Sequence, residues 1–231
     1  MRTKKTASLA ENLSSNVLFH FTNSFEKLKG ILKDGFKVSY VAEILLERKN
    51  YYIAPMVCFC DIPLGGIKEH LHRYGDYGVG IHKSFFKGTE VNPVFYIYTQ
   101  ATLEKILPTE NIRASITGYL KKYNGRDYKR LKSFRFYNER EWRYVDMTNL
   151  TMFTGSVLDA RQKCDDFNKN ISMPTYLKFK VNLVEYIIVR SKKEIIPMLE
   201  FLNSAELPFT PEEKKMLCTK IISATRVKYD F

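Results

Sequence analysis

Short apolar runs alternate with helical patterns from the start of the chain onward. Residues 16–21 form an apolar run with one histidine, which is typical of a buried strand. A polar cap at Asn23 or Ser24, followed by apolar residues at helical spacing, predicts a helix that ends near Lys33, with Gly35 just beyond it. The chain is therefore expected to open as a strand followed directly by a helix.

The same patterns predict the remaining elements. Further strands are expected at residues 36–41, 57–61, 77–82, 92–98, 139–147, 176–180 and 185–189. Helices are expected at 63–73, at 101–121 with a break near Pro108, and at 158–168, before two more helices and a last strand that ends at Phe231. The order follows no regular βαβ repeat, which favours an α+β fold. We expect a flexible N-terminal arm at 1–15 and a single domain at 16–231.

Two pairs of polar residues interrupt these apolar segments. His20 and Thr22 lie two residues apart on the first strand, and Glu139 and Glu141 lie two residues apart on a later one. Side chains at positions i and i+2 of a strand share one face. The spacing therefore predicts that His20, Thr22 and Glu141 converge on one cleft.

Each pair also has a structural interpretation. A histidine on an apolar strand is often a hydrogen-bonded core residue, and this alternative applies to His20. Arg140 and Arg143 flank the carboxylates, so Glu139 and Glu141 are equally consistent with an ion-pair ladder on the surface.

Composition limits the class of protein. The 231 residues include 45% hydrophobic and 14% aromatic residues, enough to bury a substantial core. No apolar run approaches the roughly 20 residues of a membrane span, and no signal-peptide core follows the basic N terminus. Four cysteines in a chain of this length do not indicate a disulfide framework. We therefore expect a cytoplasmic protein.

Charge suggests a polyanionic partner. The 37 basic residues exceed the 25 acidic ones, for a formal net charge of +12. Basic and aromatic residues are interleaved between positions 121 and 132, an arrangement that stacks bases and holds phosphates. The candidate nucleic-acid-binding residues are Lys121, Lys122, Tyr123, Tyr128, Lys129 and Arg130. A solvated loop has the same composition, so this alternative stays open.

A metal site is disfavoured. Cys58 and Cys60 lie two residues apart on a strand and can face the same ion, but His70 and His72 lie two residues apart on a predicted helix and point in different directions. Buried cysteines also act as small apolar residues. We therefore expect no metal cofactor.

Several motifs resemble the AbiGi family of abortive phage-resistance proteins. The similarity extends from about residue 16 to 228, and its most specific part is the segment Met56–Leu64. The matching segments are Phe19-His20-Phe21-Thr22, 31–36, 55–64, His70 with 74–80, Asn92-Pro93-Val94 and Glu139-Arg140-Glu141-Trp142-Arg143. The family is described as the antitoxin half of a phage-defence pair, which implies a partner toxin.

The same order of motifs resembles, more distantly, the ADP-ribosyltransferases. This resemblance implies a mixed, strongly bent or split sheet with flanking helices, and NAD as a substrate. The implied roles are NAD binding by His20 and Thr22, nicotinamide stacking by Tyr74 or Tyr77, and catalysis by Glu141 with help from Glu139. The expected function is therefore phage defence through transfer of ADP-ribose to a macromolecule, with nucleic acid as the favoured acceptor. The alternative is a non-enzymatic antitoxin that binds a partner toxin.

Overall fold

The computed structural model describes residues 14–44, 50–106, 116–127 and 132–230. Within these residues it contains helices and a large mixed sheet, which confirms the α+β class. The helices are α1 (Phe25–Asp34), α2 (Lys68–Tyr74), α3 (Gln100–Ile106), α4 (Val157–Lys169), α5 (Ile195–Asn203), α6 (Pro211–Cys218) and α7 (Ala224–Asp230).

The strands pair mostly in one sheet. They are β1 (Val17–Thr22), β2 (Phe36–Lys37), β3 (Ser39–Ile44), β4 (Asn50–Cys60), β5 (Tyr77–His82), β6 (Asn92–Pro93), β7 (Phe95–Ile97), β8 (Leu120–Lys122), β9 (Gly125–Asp127), β10 (Lys132–Phe134), β11 (Glu141–Val145), β12 (Thr151–Thr154), β13 (Tyr176–Leu177), β14 (Val184–Val189) and β15 (Ile221–Ser223). The order in the large sheet is β15-β14-β5-β1-β4-β11-β6, and the long strand β4 also pairs with β3 and β12. The β14–β15 pair is parallel, whereas the other pairs of this sheet are antiparallel. The sheet is therefore mixed.

The register of three strands fixes which side chains share a face. Phe19 of β1 and Glu141 of β11 both align with Cys60 of β4, which lies between them. Because alternate residues of a strand point to opposite faces, these three residues share one face, and His20, Phe59 and Trp142 share the other. The sheet thus separates two layers of side chains around the candidate site.

The two faces bury different cores. Leu18, Phe59 and Ile187 belong to the larger core, which also contains the apolar sides of α1 and α5. The other face carries Phe19, Cys60 and residues of α2 and α7 at one end of the sheet, and a smaller cluster around Tyr52 and Met56 at the other.

Glycines in the segment after α2 let the chain approach β1 closely. A Cβ atom on Gly75, whose φ is 120°, would lie 2.2 Å from the carbonyl oxygen of Thr22. Cβ atoms on Gly78 and Gly80 would lie 2.8 Å from the rings of Phe21 and Phe19. The neighbouring strand therefore explains this glycine pattern without a ligand.

The edge of β3 is covered by a side chain of α4. The Asn168 amide accepts a hydrogen bond from the Tyr40 backbone N–H (2.8 Å) and donates one to the Tyr40 carbonyl oxygen (2.9 Å). The side chain replaces the two hydrogen bonds that a further strand would make.

Several predicted elements agree with the structure. The strand at 77–82 has the predicted limits, α1 begins after its Ser24 cap, and α4 lies within one residue of its predicted bounds at each end. Other predictions differ from the structure, two of them in the type of element. The helix predicted to extend to residue 121 gives way to a 3₁₀ turn at Thr117–Tyr119 and strand β8, and the predicted C-terminal strand is helix α7.

Among the described residues, no helix combines the length and the apolar character needed to cross a bilayer.

Candidate functional site

The two carboxylates at positions 139 and 141 do not lie on one regular strand. Glu139 ends a 3₁₀ turn (Phe136–Glu139), and β11 begins at Glu141. Between them Arg140 adopts a left-handed backbone conformation with φ 44°. Its carbonyl oxygen accepts a hydrogen bond from the Asp61 N–H at 3.0 Å, which ties this bend to the end of β4. The bend brings both carboxylates to the same buried group, Lys121.

Glu141 is paired with two cations. Arg143, two residues along β11, donates from Nε to Oε1 at 2.6 Å and from Nη2 to Oε2 at 3.1 Å. Lys121 of β8 donates to the Oε2 atom of Glu141. The side chains of Glu141 and Arg143 are 7% and 0% exposed, so this pairing is shielded from water.

Glu139 is paired with two cations and a phenol. Lys121 Nζ lies 2.6 Å from Oε2, and Arg73 Nη2 lies 3.2 Å from Oε1. The Tyr74 hydroxyl donates to the same Oε1 atom. Arg73 also lies 3.7 Å above the ring of Phe134, which covers this side of the cluster.

Arg143 extends the cluster toward β3 and β4. Its Nη2 atom lies 3.1 Å from Oε1 of Glu43, and its Nη1 atom donates to the Tyr52 hydroxyl at 2.6 Å and to the Gly118 carbonyl oxygen at 3.1 Å. We call the resulting set the ion network. Its members are Glu43, Glu139, Glu141, Arg73, Lys121 and Arg143. Three carboxylates are balanced by three cations.

The pKa values follow from this pairing. Burial opposes ionisation of Glu141, but Arg143 and Lys121 outweigh burial and hold the pKa of this carboxyl well below its usual range. Burial likewise opposes the charge on Lys121 and on Arg143, yet the surrounding carboxylates raise both pKa values well above normal. The pKa shifts of Glu141, Lys121 and Arg143 therefore all favour the charged form of the group.

The members of this buried network depend on one another. Removing one partner of a buried ion pair leaves an uncompensated charge and costs roughly 3–5 kcal/mol. The observed contacts therefore pair both carboxylates with buried cations. They confirm the ion-pair interpretation, with the difference that the pairs are buried and not on the surface.

His20 and Thr22 lie on the opposite face of the sheet from Glu141, so the predicted convergence of these three residues is wrong. The ring of His20 packs edge-on against Phe36 and Phe59, with centroids 5.2 and 5.9 Å away, and its Nδ1–H donates to the Cys58 carbonyl oxygen at 2.8 Å. Burial lowers the pKa of His20, which favours the neutral ring. The strand register separates His20 from Glu141, because Phe19 and not His20 aligns with Cys60, the residue opposite Glu141.

The two candidate stacking tyrosines are also separated by the sheet. Tyr74, at the end of α2, contacts the ion network through Glu139. Tyr77, on β5, aligns with Thr22 of β1, and the Tyr77 hydroxyl donates to Glu194 Oε1 at 2.7 Å. Burial and this hydrogen bond raise the pKa of Tyr77 to about 12. NAD binding by His20, Thr22, Tyr74 or Tyr77 stays a prediction.

Cys58 and Cys60 face the ion network. Burial, followed by nearby carboxylates, raises the pKa of both thiols, so they are protonated and unreactive. His70 of α2 is buried against Phe21 and Tyr74, and among the described residues its Nε2 atom has no hydrogen-bond partner. The described part of the chain contains no group of three or more side chains arranged to hold a metal ion.

The basic tract is only partly as predicted. The side chain of Lys121 is 9% exposed and is paired within the ion network, which leaves it little exposed for the predicted nucleic-acid contact. Lys122 is half-buried on β8, and the Tyr123 ring lies between the rings of Tyr98 and Tyr137. The other three candidates, Tyr128, Lys129 and Arg130, lie outside the described residues.

Sequence patterns missed several members of the ion network. Glu43 lies on a strand distant in sequence from β11, as does Tyr52, the hydrogen-bond partner of Arg143. Arg73 lies in a helix, where its sequence position resembles that of any exposed basic residue. The available signal was Arg143, a charged residue on the same face of an apolar strand as Glu141. A buried strand charge requires an opposite charge nearby.

Comparisons with known proteins agree with the AbiGi resemblance. The family described as "Putative abortive phage resistance protein AbiGi, antitoxin" matches residues 36–116. A Lactococcus lactis subsp. cremoris protein named "Abortive phage resistance protein AbiGi" is 25% identical over 232 aligned residues, which cover 79% of this chain and 90% of the relative. The resemblance to the AbiGi family is confirmed. No solved structure matches this chain significantly, so the ADP-ribosyltransferase-like fold stays a prediction.

Proposed function

We propose that this AbiGi relative acts in phage defence as a non-catalytic antitoxin, which binds and neutralises a partner toxin. The name of its Lactococcus relative and the antitoxin description of the family support this assignment. The observation that carries the non-catalytic part is the internal pairing of Glu141 with Arg143 and Lys121.

The electrostatics of the ion network argue against the competing proposal, which is ADP-ribose transfer from NAD to a macromolecule. Cleavage of the nicotinamide–ribose bond builds positive charge on the ribose, and a catalytic carboxylate must stabilise that charge. Glu141 already binds two cations, and Lys121 lies where it would repel a third. The position of His20 on the other face of the sheet favours the same conclusion.

Growth of bacteria tests the antitoxin proposal. Each protein encoded next to this chain is expressed from an inducible promoter, once alone and once together with this chain. We expect one of them to stop growth, co-expression of this chain to restore growth, and the two proteins to elute together in size-exclusion chromatography. Growth arrest by this chain alone, without any such partner, would contradict the proposal.

An assay with purified protein tests the competing proposal. The chain is incubated with NAD and with cell protein, RNA or single-stranded DNA, and the release of nicotinamide is measured. We expect no release above the buffer control. Release by the wild-type protein that is lost in a folded Glu141→Gln variant would replace the antitoxin proposal with the transferase.

A further inference from the structure

Four tyrosine rings form a continuous row beside the ion network. Tyr96 meets Tyr137 edge-on at 5.3 Å, Tyr137 stacks on Tyr123 at 5.3 Å with 26° between the ring planes, and Tyr123 meets Tyr98 at 5.8 Å. We call this row the tyrosine ladder. It extends from a half-buried end at Tyr96 to an exposed end at Tyr98.

Backbone hydrogen bonds hold the tyrosine ladder in place. The Tyr123 N–H donates to the Ile97 carbonyl oxygen at 2.9 Å, and the Tyr137 N–H donates to the Tyr123 carbonyl oxygen at 3.1 Å. At the half-buried end, the Tyr96 hydroxyl accepts a hydrogen bond from the Glu141 N–H at 2.8 Å. The rings are therefore positioned before any ligand arrives, which reduces the entropy lost on binding.

The outer rings of the ladder are open to solvent. Tyr98 is 68% exposed and Tyr137 is 45% exposed, although both belong to an ordered aromatic cluster. Large aromatic side chains grouped at the surface mark a binding site more often than isolated ones do. Their flat faces suit planar ligands.

Charge identifies the class of ligand. The chain has a net charge of +12, and the exposed Arg135 lies two residues before Tyr137. Lys122 immediately precedes Tyr123, and Arg140, whose N–H donates to the Tyr137 carbonyl oxygen at 3.2 Å, lies at the end of the same turn. Basic side chains beside stacked aromatic rings bind the phosphates and unpaired bases of single-stranded nucleic acid.

From this arrangement we infer that the tyrosine ladder binds single-stranded nucleic acid, with Tyr98 and Tyr137 stacking on unpaired bases. A duplex keeps its bases stacked internally and so offers no base face to these rings. The inference does not rest on the proposed antitoxin role, because it is argued from the tyrosine rings and the neighbouring basic residues alone.

Fluorescence anisotropy tests the inference with the full-length chain. The probes are labelled oligo-dT and oligo-U strands of about 12 nucleotides, within the usual site size of such proteins, and a duplex of the same length. We expect tighter binding of the single strands than of the duplex. Tyr98→Ala and Tyr137→Ala should each weaken single-strand binding about ten-fold or more, whereas Tyr98→Phe and Tyr137→Phe, which keep the ring face, should stay within about two-fold.

Controls separate stacking from charge and from misfolding. Tyr229→Ala removes a tyrosine that is 81% exposed on α7, away from the ladder in sequence, and should leave the affinity unchanged. Arg135→Gln should flatten the dependence of affinity on salt, because one fewer phosphate is neutralised. NMR spectra of protein with labelled tyrosine rings should show shifts at Tyr98 and Tyr137 on titration with oligo-dT, a readout that needs no variant.

Three outcomes would overturn the inference. They are no binding of either single strand at low salt, unchanged affinity in both alanine variants, and equal affinity for duplex and single strand. Binding of an acidic peptide at the same rings, with no binding of oligonucleotides, would instead identify the ladder as a protein-docking surface. None of these outcomes bears on the antitoxin proposal, which the growth experiment tests separately.

Discussion

Arg143 and Glu141 lie on the same face of strand β11, and the guanidinium of Arg143 contacts both carboxylate oxygens of Glu141, at 2.6 and 3.1 Å. At the surface such a pair would contribute little to stability, because water competes for both charges. Here Arg143 is completely buried, so the pair and Lys121 depend on one another.

The first prediction concerns the stability of this arrangement. Glu141→Gln keeps the shape of the side chain but removes the charge that balances Arg143 and Lys121. We expect the free energy of unfolding to fall by about 3–5 kcal/mol, measured by urea denaturation. Glu200→Gln, on the exposed side of α5, serves as the control and should change stability by less than about 0.5 kcal/mol. If the two variants unfold alike, the structural role of Glu141 is wrong.

The second prediction uses two glycines with opposite environments. Gly75→Ala places a Cβ atom against the Thr22 carbonyl oxygen at a φ of 120° and should cost about 2 kcal/mol or more. Gly30→Ala, in α1, has no atom within 4 Å of the new Cβ and should stabilise the protein by about 0.5–1 kcal/mol. Both substitutions reduce the freedom of the unfolded chain equally, so thermal melting of the pair isolates the backbone clash. A stable Gly75→Ala variant would contradict the close approach.

The third prediction concerns pH. Burial lowers the pKa of His20 in the folded protein, so the unfolded chain binds a proton more readily. The stabilisation from the neutral ring is complete above the unfolded pKa of about 6.5 and is lost as the pH falls below it. His20→Phe should therefore reduce the loss of stability on acidification from about pH 7 to 5.

Urea denaturation across this pH range measures the effect. The lowered pKa of buried His70 acts in the same direction, so some pH dependence should remain in the His20→Phe variant. Substitution of the exposed His72 by Gln controls for loss of an imidazole from the surface. A pH profile in His20→Phe identical to that of the wild-type protein would show that His20 does not stay neutral in the fold.

The fourth prediction concerns the edge of β3. Asn168→Leu removes both side-chain hydrogen bonds to the Tyr40 backbone and leaves that edge unpaired. We expect a loss of about 1–3 kcal/mol, faster hydrogen exchange at the Tyr40 amide, and an increased tendency to aggregate. Asn182→Ala, at an exposed position before β14, is the control. Unchanged exchange at Tyr40 would show that another group protects the edge.

The sequence was informative where local rules decide the structure. The Ser24 cap, the Gly35 terminus and the apolar run at β5 predicted their elements because each depends on neighbours in the chain. The register between β1, β4 and β11 depends on residues about 40 to 120 positions apart, and no local pattern contains it. A shift of one residue exchanges the two faces, which is why a correct strand around His20 led to a wrong prediction that His20 and Glu141 share a face.

The pair of glutamates shows the same limit on a smaller scale. A strand was predicted through residues 139–147, and the Glu-x-Glu spacing then places both side chains on one face. The chain instead bends at Arg140, and Glu139 reaches Lys121 from a turn. The two carboxylates lie close together as expected, but because of the bend and not because of a shared strand face. Their common partner, Lys121, belongs to the basic tract that the sequence pattern assigns to nucleic-acid contact.

Three carboxylates balance three cations in the ion network, so the protein has a neutral buried group of charges and a separate, strongly basic set of charges elsewhere. The network contributes no net charge, so the full +12 belongs to the rest of the chain. Dissolved ions screen exposed charges over about 10 Å at 0.1 M ionic strength but have little access to buried pairs. Concentrated salt should therefore strip bound polyanions from this protein during purification while its folded core remains intact.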